Sequence, residues 1–288
     1  MQNFNHLKLT ILIHCPDQTG IISAVTQFIH KKKGNVVYLD QHVDNVTKVF
    51  FMRLECEFDS SLNKSKFDLD FKTQLGVVYN MAWNSHQQDV KPKMAIFVSK
   101  YNHCLYDLLS RYNSGELAVE IPFILSNHND LSYIAKQFNI PFYHIPVTKE
   151  TKEKAETEQL QLLTKHKIDF IVLARYMQIV SSRLIDVYPN KIINIHHSFL
   201  PAFAGAKPYH AAFKRGVKII GATSHYVTEE LDAGPIIEQG VTRVSHSHSI
   251  KDFIIKGKDL EKIVLATAVK LHVNSKTMVC NNKTVVFT

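Results

Sequence analysis

Two periods of hydrophobic and polar residues divide the first 84 residues into short strands and helices. Alternation predicts strands over residues 7–15, 36–43, 48–58 and 79–84. Helical spacing predicts two amphipathic helices, with apolar faces formed by Ile21, Ile22, Val25, Phe28 and Ile29 in the first, and by Phe67, Phe71, Leu75 and Val78 in the second. The order β-α-β-β-α-β is that of a split βαβ, ferredoxin-like domain over residues 1–84.

A polar stretch that contains Pro92, residues 85–93, predicts a linker to a second domain over residues 94–288. Strands are predicted over 94–99, 123–126, 142–146, 170–173 and 191–195, and helices over 103–111, 130–138, 150–165, 181–187 and 249–272, with one short strand after the last helix. This α/β pattern predicts a mostly parallel, helix-covered, Rossmann-like sheet. Such sheets bind ligands beyond the carboxyl ends of their strands, so we expect a site near Ala174, His196 and Tyr226.

The composition is that of an ordinary globular protein, with 45% hydrophobic and 21% charged residues among 288. No apolar run approaches the roughly 18 residues that a membrane span requires, and the N-terminal segment lacks the pattern of a secretory signal. None of the four cysteines belongs to a CxxC pair, so free thiols in a reducing compartment are expected. The sequence therefore predicts a cytoplasmic protein without a membrane partner.

A net charge of +8 raises the question of an anionic partner. The basic residues are scattered, and the densest run, Lys31-Lys32-Lys33, stands at the end of a predicted helix just before Gly34. Cations at that position interact favourably with the helix dipole. We therefore expect no nucleic-acid partner, and an anionic small molecule remains the alternative.

Two polar clusters follow apolar strands in the second domain. In Asn194-Ile195-His196, strand alternation places the Asn194 and His196 side chains on the same side. Polar groups at the end of a buried strand are costly unless something binds them. The second cluster ends in Asp232-Ala233-Gly234-Pro235, where a rigid loop can hold a carboxylate. Each motif alone is also compatible with a turn network or a loop cap.

Together these motifs resemble the folate-dependent formyltransferase family. Its pattern is Asn-x-His near Ser-x-x-Pro, followed by an Asp before a small-residue turn, and here the second motif runs from Ser198 to Pro201. The resemblance implies a folate substrate and a catalytic triad of Asn194, His196 and Asp232. It also implies a backbone-rich, pterin-binding wall that is formed by Arg175, Tyr176, Met177, Gln178, Ile179 and Val180. His225 is expected to line the site, and Lys207 to meet the folate glutamate tail or to lie in a solvated loop.

Formyl transfer explains why these residue types are needed. Attack on the formyl carbon makes its oxygen anionic, and a single preorganised donor can lower the barrier by roughly 3–4 kcal/mol. The Asn194 amide is a suitable donor, and His196 can donate or move a proton near neutral pH. Asp232 can orient a water molecule, raise the basicity of His196, or accept the proton of the nucleophile.

The first domain resembles the ACT family. The resemblance rests on a strand, then Pro16-Asp17-Gln18-Thr19-Gly20-Ile21-Ile22, then a helix that ends in Gly-Asn-Val. It implies an amino-acid effector site at Asp17, Gly20 and Ile21, and pairing of ACT sheets in a homo-oligomer. Gly20 is expected to allow close backbone approach at the turn. The alternatives are a glycine needed only for the turn and a domain that serves only assembly.

The turn after the first strand of the second domain indicates which molecule accepts the formyl group. Enzymes of the family that formylate a ribonucleotide have a Gly-rich turn there, whose backbone N–H groups bind phosphate. Residues 99–105 contain no glycine and begin with Ser99-Lys100. This turn, Ser126-Asn127-His128, Lys207-Pro208-Tyr209-His210 and the ACT-like domain resemble the formyltetrahydrofolate deformylase family.

That resemblance implies hydrolysis of 10-formyltetrahydrofolate to formate and tetrahydrofolate, which supplies formate and balances one-carbon pools for purine biosynthesis. One alternative is transfer to an amine acceptor, a ribonucleotide or a charged initiator tRNA, although the tail after residue 245 is too short for an RNA-binding domain. The other is a non-catalytic, amino-acid-sensing ACT protein. We expect no metal and no cofactor, because adjacent His196 and His197 face opposite ways and no zinc motif is present.

Overall fold

The computed structural model describes residues 6–201 and 208–288. Two compact units divide the chain, one comprising Met1–Val90 with Phe287–Thr288 and the other Lys91–Val286. Among the described residues, no helix is both long enough and apolar enough to cross a membrane.

The N-terminal unit has the predicted ferredoxin-like order. Its strands are β1 (His6–Pro16), β2 (Asn35–Asp44), β3 (Val49–Asp59) and β4 (Ala82–Gln87), and its helices are α1 (Ile21–Lys31) and α2 (Lys64–Phe71). The strands form an antiparallel sheet in the order β2-β3-β1-β4. One core lies between the sheet and the helices, since alternate β1 residues pack with Val25, Phe28 and Phe71.

Three details of this unit differ from the sequence prediction. A five-residue π-helical turn, Lys72–Gly76, prolongs α2, and the last strand therefore begins at Ala82 and runs into the predicted linker. The wider turn also rotates Val78 off the apolar face, and its side chain is exposed. Ile22 is exposed as well, because the buried stripe of α1 runs through Ile21, Val25, Phe28 and Ile29.

The second unit contains a seven-stranded sheet in the order β11-β10-β9-β8-β5-β6-β7. The first five strands in sequence are β5 (Lys93–Val98), β6 (Glu120–Ser126), β7 (Phe142–His144), β8 (Phe170–Leu173) and β9 (Ile192–His196), and they are parallel. β10 (Ile219–Tyr226) and β11 (Ile236–Arg243) complete the sheet in antiparallel pairing. The predicted α/β class with a mostly parallel sheet is confirmed.

Helices cover both faces of this sheet. They are α3 (His103–Asn113), α4 (Ser132–Gln137), α5 (Lys152–Lys165), α6 (Ser182–Val187), α7 (Pro208–Arg215) and α8 (Ile250–Val273). Successive residues of β5 enter different cores, since Met94, Ile96 and Val98 belong to one cluster and Ala95 and Phe97 to another. This is the pattern of a central parallel strand that is buried on both sides.

The chain closes with α8 and a small hairpin. Ser249 caps α8 in a capping box with Asp252, at the predicted start of the helix. The hairpin consists of β12 (Thr277–Cys280) and β13 (Lys283–Val286), where the sequence predicted one short strand. α7 and β11 were not predicted either; α7 is only eight residues long, and buried and exposed residues do not alternate cleanly along β11.

Candidate active site

The pairing of β9 with β10 brings the first two site residues together. The antiparallel register sets Asn194 opposite His225 and His196 opposite Thr223. Asn194 Nδ2 lies 3.3 Å from His225 Nε2, as expected for directly opposed residues on one face. The Asn194 side chain is thus held by a neighbouring strand and not by a flexible loop.

The tautomer of His225 follows from its second contact. His225 Nδ1 donates to the Tyr226 carbonyl oxygen at 2.9 Å, because a carbonyl can only accept. In the neutral ring Nε2 is therefore an acceptor, which takes one hydrogen of the Asn194 amide. The other amide hydrogen of Asn194 stays available to a ligand.

His196 and Asp232 form the second pair of the site. His196 Nδ1 lies 3.1 Å from Asp232 Oδ1, and His225 Nε2 lies 3.8 Å from the same oxygen. The hydrogen bond from His196 is the main cause that holds the pKa of the Asp232 carboxyl well below its ordinary range. The carboxylate is therefore charged at neutral pH and fixes a proton on His196 Nδ1.

The opposite ring nitrogen, His196 Nε2, is buried and has no hydrogen-bond partner among the described residues. A buried polar atom without a partner is costly unless a ligand or water meets it. With Nδ1 protonated, neutral His196 presents a lone pair at Nε2, which suits proton transfer. The geometry of the pair thus leaves one basic nitrogen available for a further hydrogen bond.

The loop that carries Asp232 is shaped by close backbone packing. Asp232 has a left-handed backbone with φ of 57°, and the Tyr226 N–H donates to the Pro235 carbonyl oxygen at 2.9 Å. A Cβ on Gly234 would lie 1.8 Å from the Tyr226 carbonyl oxygen, so only glycine fits there. Asn282 adds a hydrogen bond to the Ala233 carbonyl oxygen at 3.0 Å. These contacts explain the Asp-Ala-Gly-Pro motif.

The predicted pterin wall, residues 175–180, follows β8 and divides into buried and exposed positions. Arg175 and Tyr176 are buried, with Tyr176 packed against Phe97 and bonded to Gln159 Nε2 at 3.1 Å. The side chains of Met177 and Ile179 are exposed, and those of Gln178 and Val180 are partly buried. The segment therefore exposes two apolar side chains, those of Met177 and Ile179.

Ser99 and Asn127 hold this wall in place. Ser99 Oγ donates to Asn127 Oδ1 at 2.6 Å and accepts the Met177 backbone N–H at 3.0 Å. Ser99 is 2% exposed and Asn127 is 6% exposed, so both bonds are buried. The sequence analysis used these residues only for a family resemblance, and it predicted no role for Ser99 or Asn127.

The remaining predicted residues are Lys207 and three residues of the N-terminal unit. Lys207 lies outside the described residues. In the N-terminal unit, the Asp17 side chain is exposed, whereas Ile21 is a core residue with 2% exposure.

The expectation that Gly20 permits close backbone approach is wrong within the described chain. No atom lies within 4 Å of a Cβ built at this position. Its φ of 94° is instead the reason for glycine, since side-chain-bearing residues rarely adopt that conformation.

A second polar cluster beside the site was not predicted from the sequence. We call it the Glu261 cluster; its members are His103, Arg175, Tyr209 and Glu261. His103 Nε2 lies 2.9 Å from Glu261 Oε2, and Tyr209 Oη donates to Glu261 Oε1 at 2.6 Å. Arg175 Nε lies 3.5 Å from Glu261 Oε2. Residue 261 falls within a helix some 158 positions beyond His103, so no local pattern could reveal the contact.

The electrostatics of the Glu261 cluster favour an ion pair over a metal site. Burial alone would raise the pKa of Glu261, but the hydrogen bond from His103 and the charge of Arg175 bring it below its ordinary value. His103, Cys104 and Glu261 are the described residues whose ligand atoms lie close enough together for an ion. Arg175 opposes a cation there, and burial raises the pKa of the Cys104 thiol, which disfavours the thiolate that metals bind.

Comparisons with known proteins agree with this architecture. The Formyl transferase family model matches residues 92–269, and the ACT domain model matches residues 9–65. A formyltetrahydrofolate deformylase of a Synechocystis species is 50% identical over 287 residues, covering 100% of both chains.

Solved structures of deformylases and formyltransferases are also similar to this chain. A formyltetrahydrofolate deformylase from Pseudomonas syringae superposes with a TM-score of 0.95 at 44% identity, covering 99% of this chain and 96% of that one. A phosphoribosylglycinamide formyltransferase from Anaplasma phagocytophilum superposes with a TM-score of 0.62 at 28% identity, covering 68% of this chain and 95% of that one. The first likeness includes both units, and the second is partial.

Proposed function

This chain belongs to the formyltetrahydrofolate deformylase family, and on that premise we propose how its second unit hydrolyses 10-formyltetrahydrofolate. The products are formate and tetrahydrofolate, and the reaction consumes one water molecule. The activity supplies formate and balances one-carbon pools for purine biosynthesis. The observation that carries the proposal is a buried His196 Nε2 without a partner, backed by Asp232 on its other nitrogen.

The proton moves through His196. A water molecule hydrogen-bonded to Nε2 attacks the formyl carbon and gives up a proton to that nitrogen. The imidazolium so formed is stabilised by the Asp232 carboxylate, 3.1 Å from Nδ1. Asp232 thus acts on the water through His196, whose tautomer and orientation it fixes, and not by taking the proton of the nucleophile itself.

The developing oxyanion needs a donor that is already in place. The Asn194 amide gives one hydrogen to His225 Nε2 and keeps the other for the formyl oxygen. Collapse of the tetrahedral intermediate breaks the bond to N10 of the folate, and N10 takes up the proton from His196 Nε2. These steps use water and the chain's own groups, and they call for no metal or cofactor.

The folate is received beside this triad. We place the pterin ring against residues 175–180, where Met177 and Ile179 offer exposed apolar side chains and the backbone offers donors and acceptors. Tyr176 and Arg175 contribute through their backbone, because their side chains are buried in other contacts. Lys207 would meet the anionic glutamate tail of the folate.

Replacement of Asp232 tests the catalytic assignment. Asp232→Ala should lower kcat for formate release by about 10³-fold, since His196 loses its partner and its preferred tautomer. Glu230→Gln, an exposed carboxylate of the same loop, serves as the matched control and should stay near wild type. Substantial formate release by a folded Asp232→Ala protein would remove Asp232 from the mechanism.

We further propose a homo-oligomer assembled through the ACT unit. β2 is an edge strand whose Val37, Tyr38 and Leu39 are all more than a third exposed. Unpaired backbone groups with apolar side chains on an edge favour pairing with another strand. Val37→Lys should lower the molar mass measured by light scattering, and an unchanged mass would exclude this edge.

The last two parts of the proposal are an amino-acid effector and a cytoplasmic location. The effector would bind at the exposed turn of Asp17 and Gly20, next to Ile21. Calorimetric titration of the full chain with single amino acids tests for this binding. The four cysteines are free thiols, which suits a reducing compartment.

A further inference from the structure

The Glu261 cluster stands at the point where the strand order of the sheet reverses. From β5 the chain first builds outward through β6 and β7, and it then returns to place β8 on the other side of β5. Open α/β sheets bind ligands in the crevice at such a switch point, beyond the carboxyl ends of the strands. Arg175 follows β8, and His103 follows β5, so both stand at this edge. The expected ligand crevice is therefore where the cluster lies.

The cluster fills this place with interlocked side chains. Glu261 is 1% exposed and Arg175 is 7% exposed, and both Glu261 oxygens are engaged, by Tyr209 and by His103. The Arg175 guanidinium also lies 4.8 Å from the centre of the Tyr101 ring, which belongs to the glycine-free turn after β5. The turn that lacks glycine thus supplies two side chains, Tyr101 and His103, that close over a buried charge.

The backbone and the packing around the cluster are arranged to hold it. Arg175 has φ of 63°, a left-handed conformation that is unfavourable for a residue with a Cβ. A Cβ on Gly257 would lie 2.1 Å from Tyr209 Cζ, so α8 has room for the Tyr209 ring only because residue 257 is glycine. Strained positions of this kind concentrate at functional sites.

The cluster is next to the reacting nitrogen. The Tyr209 ring lies 5.7 Å from that of His197, and the His197 ring lies 5.3 Å from that of His196. β9, β8 and β5 are consecutive in the sheet, so His196, Arg175 and the Tyr101 turn stand side by side at one edge. An acceptor larger than water that approached the formyl group along this crevice would meet the cluster.

We propose that the Glu261 cluster is a plug that excludes amine acceptors and leaves water as the only nucleophile at the formyl carbon. This inference rests on the proposed function and goes beyond it, because it names the residues that choose the acceptor. An amine would have to separate Arg175 from Glu261, which leaves a buried charge unpaired. A water molecule is small enough to reach the formyl carbon while Arg175 and Glu261 stay paired.

Opening the plug changes the reaction in a defined way. An amine nitrogen attacks the formyl carbon, and the carbon–N10 bond breaks as before. The proton lost by the amine passes through His196 Nε2 to N10, and the product is a formamide in place of formate. No oxidant, reductant or further reactant is needed.

Arg175→Gly is the variant that tests the plug, and Lys167→Gly is its matched control. Both remove a basic side chain from a left-handed position, with φ of 63° and 53°, but Lys167 is exposed and lies before β8, at the opposite edge of the sheet. The probe is glycinamide, a small primary amine, added to the full chain with 10-formyltetrahydrofolate. Mass spectrometry measures the ratio of formylglycinamide to formate.

We expect Arg175→Gly to raise this ratio by about tenfold, the lower end of what a change in pocket contacts achieves. Lys167→Gly should keep the wild-type ratio. Tyr101→Ala removes the partly exposed ring that contacts the Arg175 guanidinium, and it should also raise the ratio. This variant tests the plug if Arg175→Gly does not fold. Wild-type ratios in the folded variants would overturn the plug, as would formylation of glycinamide by wild type at the level of Arg175→Gly. Absence of formate release by wild type without amine would instead overturn the proposed function.

Discussion

His196 Nδ1 lies 3.1 Å from Asp232 Oδ1, and this single contact determines what the other side of the imidazole can do. Because the carboxylate fixes the proton on Nδ1, the buried Nε2 presents a lone pair with no partner among the described residues. In the proposed mechanism, Asn194 donates to the formyl oxygen and the Glu261 cluster excludes larger nucleophiles.

Asn194→Ala removes the proposed oxyanion donor. We expect kcat to fall by about 10²–10³-fold with KM within a few-fold of wild type, because the donor acts on charge that develops in the transition state. Asn113→Ala is the control, since it removes an exposed amide at the end of α3 and should keep wild-type kinetics. A raised KM with an unchanged kcat in Asn194→Ala would assign the residue to substrate binding.

Asp232 should also make stability depend on pH. Its folded pKa is lowered, chiefly by the hydrogen bond from His196. The stabilisation is therefore present above the ordinary carboxyl pKa of about 3.9 and is lost as the pH falls towards the folded value. Urea unfolding should show the difference in unfolding free energy between wild type and Asp232→Asn shrinking below about pH 4. A difference that grows on acidification would contradict the ion pair.

Gly234→Ala tests the packing that positions the Asp232 loop. The new Cβ would lie 1.8 Å from the Tyr226 carbonyl oxygen, and the backbone must shift. We expect a loss of about 1–3 kcal/mol in unfolding free energy together with reduced kcat. Gly216→Ala meets no atom within 4 Å and suffers only from its φ of 69°. It should lose about 1 kcal/mol and keep kcat, and equal losses of activity would refute the local account.

Ser99→Ala tests the support of the pterin wall. The change leaves Asn127 Oδ1 and the Met177 N–H without their buried partner. We expect KM for 10-formyltetrahydrofolate to rise about tenfold, which corresponds to about 1.4 kcal/mol of lost binding, and kcat to change less. Ser110→Ala, at an exposed position of α3, should have wild-type kinetics. A fall in kcat with an unchanged KM would place Ser99 in the chemistry.

Local pattern explains which parts of the molecule could be read from the sequence. β5, β8 and β9 are short apolar runs, and α8 has a Ser249 cap at its start, so these elements are visible in a few neighbouring residues. Asn194 and His196 are visible for the same reason, as two residues of one strand with side chains on one side. The Formyl transferase and ACT resemblances extended this reading to the two units.

What the sequence did not reveal depends on contacts between distant residues. Glu261 sits in a helix that also carries Lys258 and Lys262, a composition typical of an exposed surface, yet it is buried by His103, Arg175 and Tyr209. Val78 leaves the apolar face because a π-helical turn, which has no clear sequence signal, alters the helical period. Tertiary packing decides such positions, and periodicity cannot report it.

Hydrolysis by water is the central claim, and isotope labelling of the product tests it most directly. Full-length protein is incubated with 10-formyltetrahydrofolate in ¹⁸O-water without any amine, alongside a sample without protein, and formate is analysed by mass spectrometry. The account predicts enzyme-dependent formate that carries one ¹⁸O atom per molecule, in amounts equal to the tetrahydrofolate formed. Tetrahydrofolate that appears only after an amine is added, or formate without label, would contradict it.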